Sequence, residues 1–296
     1  MYIKRNTQAI GYIFVFPLVA VLLLFLAYPI AKAALMSFQY WYMPSPKPEK
    51  NYFVGFQNYY NVFADPKFTN SVLITTLYIV ITVILRFILG LITSILFNKG
   101  IKGRGIARAL IVIPWAVPEV VACLIWILMY DTDFGIINFL ALNLHIFSQP
   151  FGFLTDPSIA LYSAMAVNIW KGFPFVAIML LAGLQSIPAE LYEAANVDGA
   201  KSYQQFFKIT LPMLKPVSLV VFLLLIIWTI KDFGIAFLLA RGGPSNATEI
   251  LTIYIYQTAF KFFDFGKAAA TGMIMLAISL IFTYVYLKLL NKENAI

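Results

Sequence analysis

The sequence predicts an all-α polytopic membrane protein with six transmembrane helices, both termini inside, and a cytoplasmic helix between the fourth and fifth spans. Three observations carry that prediction. Hydrophobic residues make up 61% of the 296-residue chain, charged residues only 11%, and the mean hydropathy is +0.85. A soluble domain carries roughly 25% charged residues. Six apolar segments are long enough to cross a hydrocarbon core, which takes about 20 helical residues. The basic residues, which give a net charge of +8, lie beside those segments, a placement that points to membrane topology and not to nucleic acid.

Residues 1–296 read as one transmembrane domain, with spans near 10–36, 71–97, 107–130, 158–184, 217–240 and 266–290. Each must be a helix, because lipid offers no partners to an open strand edge. The first span imitates a signal peptide, with Lys4-Arg5 before the apolar run and Ala31-Lys32-Ala33 at its end. That run is longer than the roughly 7–15 residues of a signal core, and a lysine sits in the would-be cleavage site, so an uncleaved span is expected. The outer stretch 37–70 holds Pro44, Pro46 and Pro48, then the aromatic run Gly55-Phe56-Gln57-Asn58-Tyr59-Tyr60. Arg86, in the second span, lies toward the cytoplasmic half and is expected to snorkel.

In the third span Pro114 and Pro118 break the backbone ladder, which is tolerated where a helix lines a cavity. At spacings of four, three and four, Trp115, Glu119, Ala122 and Trp126 share one helical face. Aromatic faces with a hydrogen-bonding carboxylate suit a sugar; the plain alternative is aromatic packing with Glu119 paired to a lysine. The loop 131–157 has no lysine or arginine, and its lone His145 reads as polar surface. The fourth span carries Lys171 near its middle with Asn168 on the same face. In the fifth, Trp228, Lys231 and Asp232 cluster at spacings of three and four, either lining a pathway or joining an ion pair between spans. Gly242-Gly243-Pro244 marks a turn directly after it. Cys123 is the sole cysteine, so no intramolecular disulfide is possible.

The polar stretch 185–216 resolves into two short helices. Pro188 suits a first helical position, Glu190 complements the helix dipole, and Gly199 can close the helix in a left-handed conformation. Leu191, Ala194, Ala195 and Asp198 share one face, where two alanines permit close approach of a partner. The alternative is a helix that merely lies under the membrane. Ser202 with Gln205 suggests a capping box opening a second helix, which runs up to Pro212.

Orientation follows from the basic residues. With the N-terminus inside, the cytoplasmic pieces carry Lys4, Arg5, Lys99, Lys102, Arg104, Arg108, Lys201, Lys208, Lys215, Lys288 and Lys292. The outer loops carry Lys47, Lys50, Lys67, Arg241, Lys261 and Lys267, so both termini inside is favoured. The glycine-punctuated loop 98–106 has no acid and contrasts most sharply with 131–157.

Glu193-Ala194-Ala195, then Gly199, Ile209 and Leu211-Pro212, resembles the signature of ABC-importer membrane subunits in both residues and spacings. Gly55-Phe56-Gln57-Asn58-Tyr59, Asn168-Ile169-Trp170-Lys171, Gly242-Gly243-Pro244, Tyr256-Gln257-Thr258-Ala259-Phe260 and Phe265-Gly266 are similar to the maltose-type, sugar-importing branch. The resemblance implies that 193–199 is a coupling helix docking on a cytoplasmic ATPase, with Asp198, Ile209, Leu211 and Pro212 in the coupling set. It also implies a second related permease, an ATPase pair, an external solute-binding protein and residence in a prokaryotic cytoplasmic membrane. ATP and magnesium would belong to the ATPase. Because a similar Trp-Lys recurs in the family, Lys171 is expected to serve structure or gating.

The chain has no Gly-x-x-x-x-Gly-Lys-Ser/Thr loop; Gly266-Lys267-Ala268 lacks the hydroxyl and the upstream glycine. Neither His-Glu-x-x-His, Cys-x-x-Cys nor a nucleophile elbow is present, so no enzyme activity, metal or bound cofactor is expected. Besides a scaffold without transport, two alternatives remain at this point. One is the same machinery carrying another organic solute, such as a glycerol phosphodiester. The other is a proton-coupled secondary transporter using Glu119 and Asp232.

Overall fold

The computed structural model describes residues 3–42, 51–99 and 103–293. Pro44, Pro46, Pro48, Lys47, Lys50 and Lys102 lie outside the described residues. In chain order the helices are α1 (Ile3–Leu22), α2 (Tyr28–Ser37), α3 (Gln57–Phe63), α4 (Pro66–Asn98), α5 (Arg104–Ala116), α6 (Glu119–Met129) and α7 (Ile136–Asn143). They continue as α8 (Ala160–Gln185), α9 (Ala189–Val197), α10 (Ser202–Gln205), α11 (Leu211–Ile230), α12 (Gly234–Ala240), α13 (Leu251–Phe260) and α14 (Phe265–Glu293). A two-stranded hairpin, β1 (Gln39–Trp41) with β2 (Asn51–Phe53), follows α2. Five helical rods among the described residues are long and apolar enough to span, and the bent pair α5–α6 makes six if it is counted as one span. This is an all-α polytopic membrane protein.

Two spans differ from expectation. The third is broken into α5 and α6, which meet at 94°. The fifth begins earlier and ends earlier than 217–240: one continuous helix covers Ser202–Ile230, and α12 is a separate short helix after a break at 231–233. Pro212 therefore does not end a helix. A π turn at Phe206–Thr210, closed by the Leu211 N–H to the Phe206 carbonyl, precedes it by two residues. Pro29 is preceded in the same way by a π turn at Leu23–Ala27. Proline cannot donate a backbone bond and its ring crowds the carbonyl four residues back. Widening the preceding turn moves that carbonyl away and lets the helix pass through.

The chain forms two compact units. One comprises Met1–Thr69 with Ile255–Ile278. Here the Gly55-Phe56-Gln57-Asn58-Tyr59 motif ties the outer loop to the end of the first span. The buried Asn58 amide donates to the carbonyls of Ser37 (2.9 Å) and Gln39 (2.8 Å), and the Tyr59 and Ser37 hydroxyls bond at 2.8 Å. Lys267 pairs with Asp65 at 2.6 Å. None of the first span's most apolar window is buried.

The other unit comprises Asn70–Tyr254 with Ser279–Ile296. Its centre is α8, half of whose most apolar window is buried. Tyr78, Met165, Ile169, Ile250 and Ile253 form one core cluster, and Val83, Val176, Leu180, Val221 and Leu225 another. Lipid supplies no hydrophobic drive between helices, so close backbone approach through small residues matters more. A Cβ on Gly90 would sit 2.5 Å from Val176, and one on Gly183 would sit 2.9 Å from Leu214. These contacts fix α8 against α4 and α11.

Candidate functional site

The break in span three builds the site. Proline disfavours the helical region for the residue before it, and Val117 is extended at φ −64°, ψ 132°. The last carbonyls of α5 thereby lose their intrahelical donors. Lys171 on α8 collects them: its Nζ donates to the Val117 carbonyl at 2.6 Å and lies 3.4 and 3.5 Å from those of Trp115 and Pro114. A cation at a helix C-terminus also complements the dipole. On the other side of the break, Glu119 occupies the first turn of α6, where the dipole favours a carboxylate.

A cavity of about 170 Å³ opens beside this break, lined in part by Trp115, Glu119, Asn168, Lys171, Trp228 and Asp232. Phe175 stands between the two tryptophans, with ring centroids 6.1 Å from Trp115 and 4.8 Å from Trp228, making an aromatic wall. Asp232 sits where the chain leaves α11. Its Oδ2 accepts from the Tyr78 hydroxyl at 2.7 Å and from Asn168 Nδ2 at 2.5 Å, and its backbone carbonyl accepts from Thr252 Oγ1 at 2.6 Å. Asn168 is only 2% exposed, and its Oδ1 has no hydrogen-bond partner.

Three expectations need correction. Trp115, Glu119, Ala122 and Trp126 do not share a continuous face, because the 94° bend falls between the first two. Trp115 and Glu119 reach the cavity across the bend. Ala122 is buried, and Trp126 packs on Tyr130 and Trp170 at centroid distances of 5.1 and 5.5 Å. Lys231 is exposed and does not line the cavity, since the helix that would have grouped it with Trp228 ends at Ile230. Arg86 does not snorkel. It is 7% exposed and donates to the Asn168 carbonyl at 3.1 and 2.9 Å and to Thr229 Oγ1 at 3.4 Å.

Sequence reasoning missed Phe175, Tyr78 and two glycines. Phe175 was within reach, lying four residues after Lys171 on the same helix face. Gly172 leaves room for Arg86, whose guanidinium a Cβ would meet, and Gly234 leaves room for the Glu119 carboxylate in the same way. Neither glycine sits in a turn motif, so nothing in the sequence singled them out.

The loop 185–216 is held as a unit. Pro188 is the N-cap of α9, one position before the helical residue expected, and Gly199 is left-handed at φ +73°. A Cβ there would meet nothing within 4 Å, so conformation alone demands glycine. The expected cap at Ser202 moves to Lys201, whose backbone N–H donates to Gln204 Oε1 at 2.7 Å. Gln205 is thereby released to bridge the two helices, donating to Asn196 Oδ1 at 2.6 Å and the Ala200 carbonyl at 3.2 Å. The Tyr192 and Thr210 hydroxyls bond at 2.9 Å and pin α9 to the π turn. Glu193, Ala194 and Asp198 stay exposed, as does Val197 at 88%, while Ala195 is half-buried.

Residues 86–292 match the family model of the binding-protein-dependent transport system inner membrane component. The chain belongs to this family. It is an inner-membrane, multi-pass transport permease, and the proton-coupled alternative is not favoured. The permease is 35% identical over 288 residues to the trehalose/maltose transport system permease of Thermococcus litoralis, covering 97% of this chain and 95% of that one. It is also 35% identical to the sulfoquinovosyl glycerol transport system permease of Agrobacterium fabrum, over 94% and 89% of the two chains. Its fold matches a chain of a bacterial ABC transporter that imports the acidic polysaccharide alginate, with a TM-score of 0.86 at 20% identity over 98% of each chain.

Proposed function

We propose that the permease imports an oligosaccharide, forming half of the translocation pathway and coupling to a separate ATPase. The observation that carries this is the exposed helix α9, held by the Tyr192–Thr210 and Gln205–Asn196 bonds at the foot of the helix that ends beside the cavity. Glu193, Ala194, Ala195, Asp198 and Gly199 would dock on the ATPase, with Ile209, Leu211 and Pro212 continuing the element into the span. The partners are a second related permease, the ATPase pair with its ATP and magnesium, and an external solute-binding protein meeting the outer loops. This chain itself holds no cofactor on this reading.

The substrate class follows from cavity chemistry and relatives. Trp115, Phe175 and Trp228 offer ring faces to sugar C–H groups, while Glu119, Asn168 and Lys171 offer hydrogen bonds to hydroxyls. Two close relatives carry sugar-transport names. A volume of about 170 Å³ is below the roughly 300–1,000 Å³ of a small-molecule site, as a half-site completed by a partner would be. ATP binding would close the ATPase pair, move the docked helices and open the cavity outward; hydrolysis would reset it.

Uptake of labelled oligosaccharide by the assembled transporter, with immunoprecipitation of its ATPase, tests the reading. Gly199→Pro forces a φ that proline cannot adopt, and Glu193→Lys reverses an exposed charge. Both should lose most uptake, through uncoupling or loss of the ATPase, while the spans remain inserted. Wild-type uptake in either variant would remove the coupling claim.

A further inference from the structure

We infer that the permease carries a site for an anionic phospholipid of the cytoplasmic leaflet, in a crevice where α4, α5 and α8 converge. The crevice has a volume of about 360 Å³, and Phe97, Arg108, Ile111, Val112, Ile178 and Leu181 supply most of its wall. Its depth follows from the helix ends. Phe97 is next to the last residue of α4, Arg108 lies one turn into α5, and Leu181 lies one turn before the end of α8. At 1.5 Å per residue all three are within about 6 Å of those ends. The basic-residue distribution assigns this side to the cytoplasm. The crevice therefore opens at headgroup level and runs into the acyl region.

Its chemistry has two parts. The deeper wall, Ile111, Val112 and Ile178, is aliphatic and suits an acyl chain. The single charge in the wall is Arg108. Its Nη2 donates to the Phe97 carbonyl at 2.8 Å, and its Nε is buried without a hydrogen-bond partner. Guanidinium has five donors in a fork that matches phosphate. The start of α5 adds to the same potential: it has no side-chain cap and no acid in its first turn. The neighbouring stretch 98–106 contains no carboxylate to oppose it. One sign of charge above an apolar slot matches a phosphodiester above acyl chains. A free anion would leave the slot below Arg108 unused, and a helix from another protein would need an acid to meet it.

Native mass spectrometry of the full chain with phosphatidylglycerol or phosphatidylcholine at equal concentration tests the site. Wild type should retain phosphatidylglycerol about fivefold better, the effect expected of one basic side chain at a headgroup. Arg108→Gln should abolish that preference and Arg108→Lys should keep most of it. Ile178→Trp, which fills the slot and leaves the charge alone, should also lower retention. Equal retention of the two lipids, an unchanged preference in Arg108→Gln, or displacement by inorganic phosphate would overturn the site. Photo-crosslinking from benzoylphenylalanine at Val112→Bpa in the assembled transporter should yield a phospholipid adduct. A crosslink to another permease chain would overturn the proposal in favour of a protein interface.

Discussion

Asp232 owes its place beside the cavity to two donors from different helices, the Tyr78 hydroxyl on α4 and the Asn168 amide on α8. Removing the acceptor strands both, and each buried unsatisfied group costs about 1–3 kcal/mol. Asp232→Ala should therefore lower the melting temperature of the detergent-solubilised chain by several degrees, and Asp232→Asn, which keeps one acceptor oxygen, by less. Equal melting of Asp232→Ala and wild type would show that the bonds contribute nothing net. The glycines give a second, contrasting test. Gly172→Ala pushes on a buried guanidinium and should destabilise by about 1–3 kcal/mol, as overpacking does. Gly234→Ala pushes on Glu119, an exposed side chain that can swing aside, so melting should hardly change while uptake falls. The reverse pattern would mean that Glu119 is structural and Arg86 is not.

At the scale of elements, the bend between α5 and α6 rests on Pro118 from within and Lys171 from outside. Pro118→Ala with Lys171→Met removes both constraints. Spin labels at Ala109→Cys and Ile125→Cys, in a Cys123→Ser background, should then move toward the ~24 Å of a straight 16-residue separation. An unchanged distance would place the cause of the bend in the packing around it. The same elements divide what was legible in the sequence from what was not. Hydropathy reports which segments prefer lipid, so the all-α membrane class and the apolar segments were visible. It averages over breaks of two or three residues: Pro114 and Pro118 announced a broken ladder in the third span, but neither its 94° size nor the end of α11 at Ile230 stood out. Pro212 read as a terminator because a single sequence does not announce a π turn. The β1–β2 hairpin was missed because its strands are only three residues each, too short for an alternating pattern. Arg86 was misjudged for a different reason: position along a span says nothing of which carbonyl waits across the interface.

For the whole molecule, topology is the property most exposed to test. Impermeant thiol reagents should label His145→Cys from outside and Val197→Cys only after the membrane is opened, both in a Cys123→Ser background. The opposite pattern would reverse every assignment of inside and outside. Both positions are exposed, so access is not limited by packing. One further consequence lies in the helix that runs unbroken through Ser202–Ile230. At 29 residues it is about 44 Å long. It is gripped at its foot by the Tyr192–Thr210 bond, and it carries Trp228 and Thr229 at its tip, with Asp232 just beyond. From that grip at Thr210 to Ile230 the arm is about 30 Å, so a tilt of about 5° sweeps the tip through about 3 Å, close to the thickness of one aromatic ring. A push too small to distort any single bond at the cytoplasmic face would thus suffice to shift an entire wall on the far side of the unit.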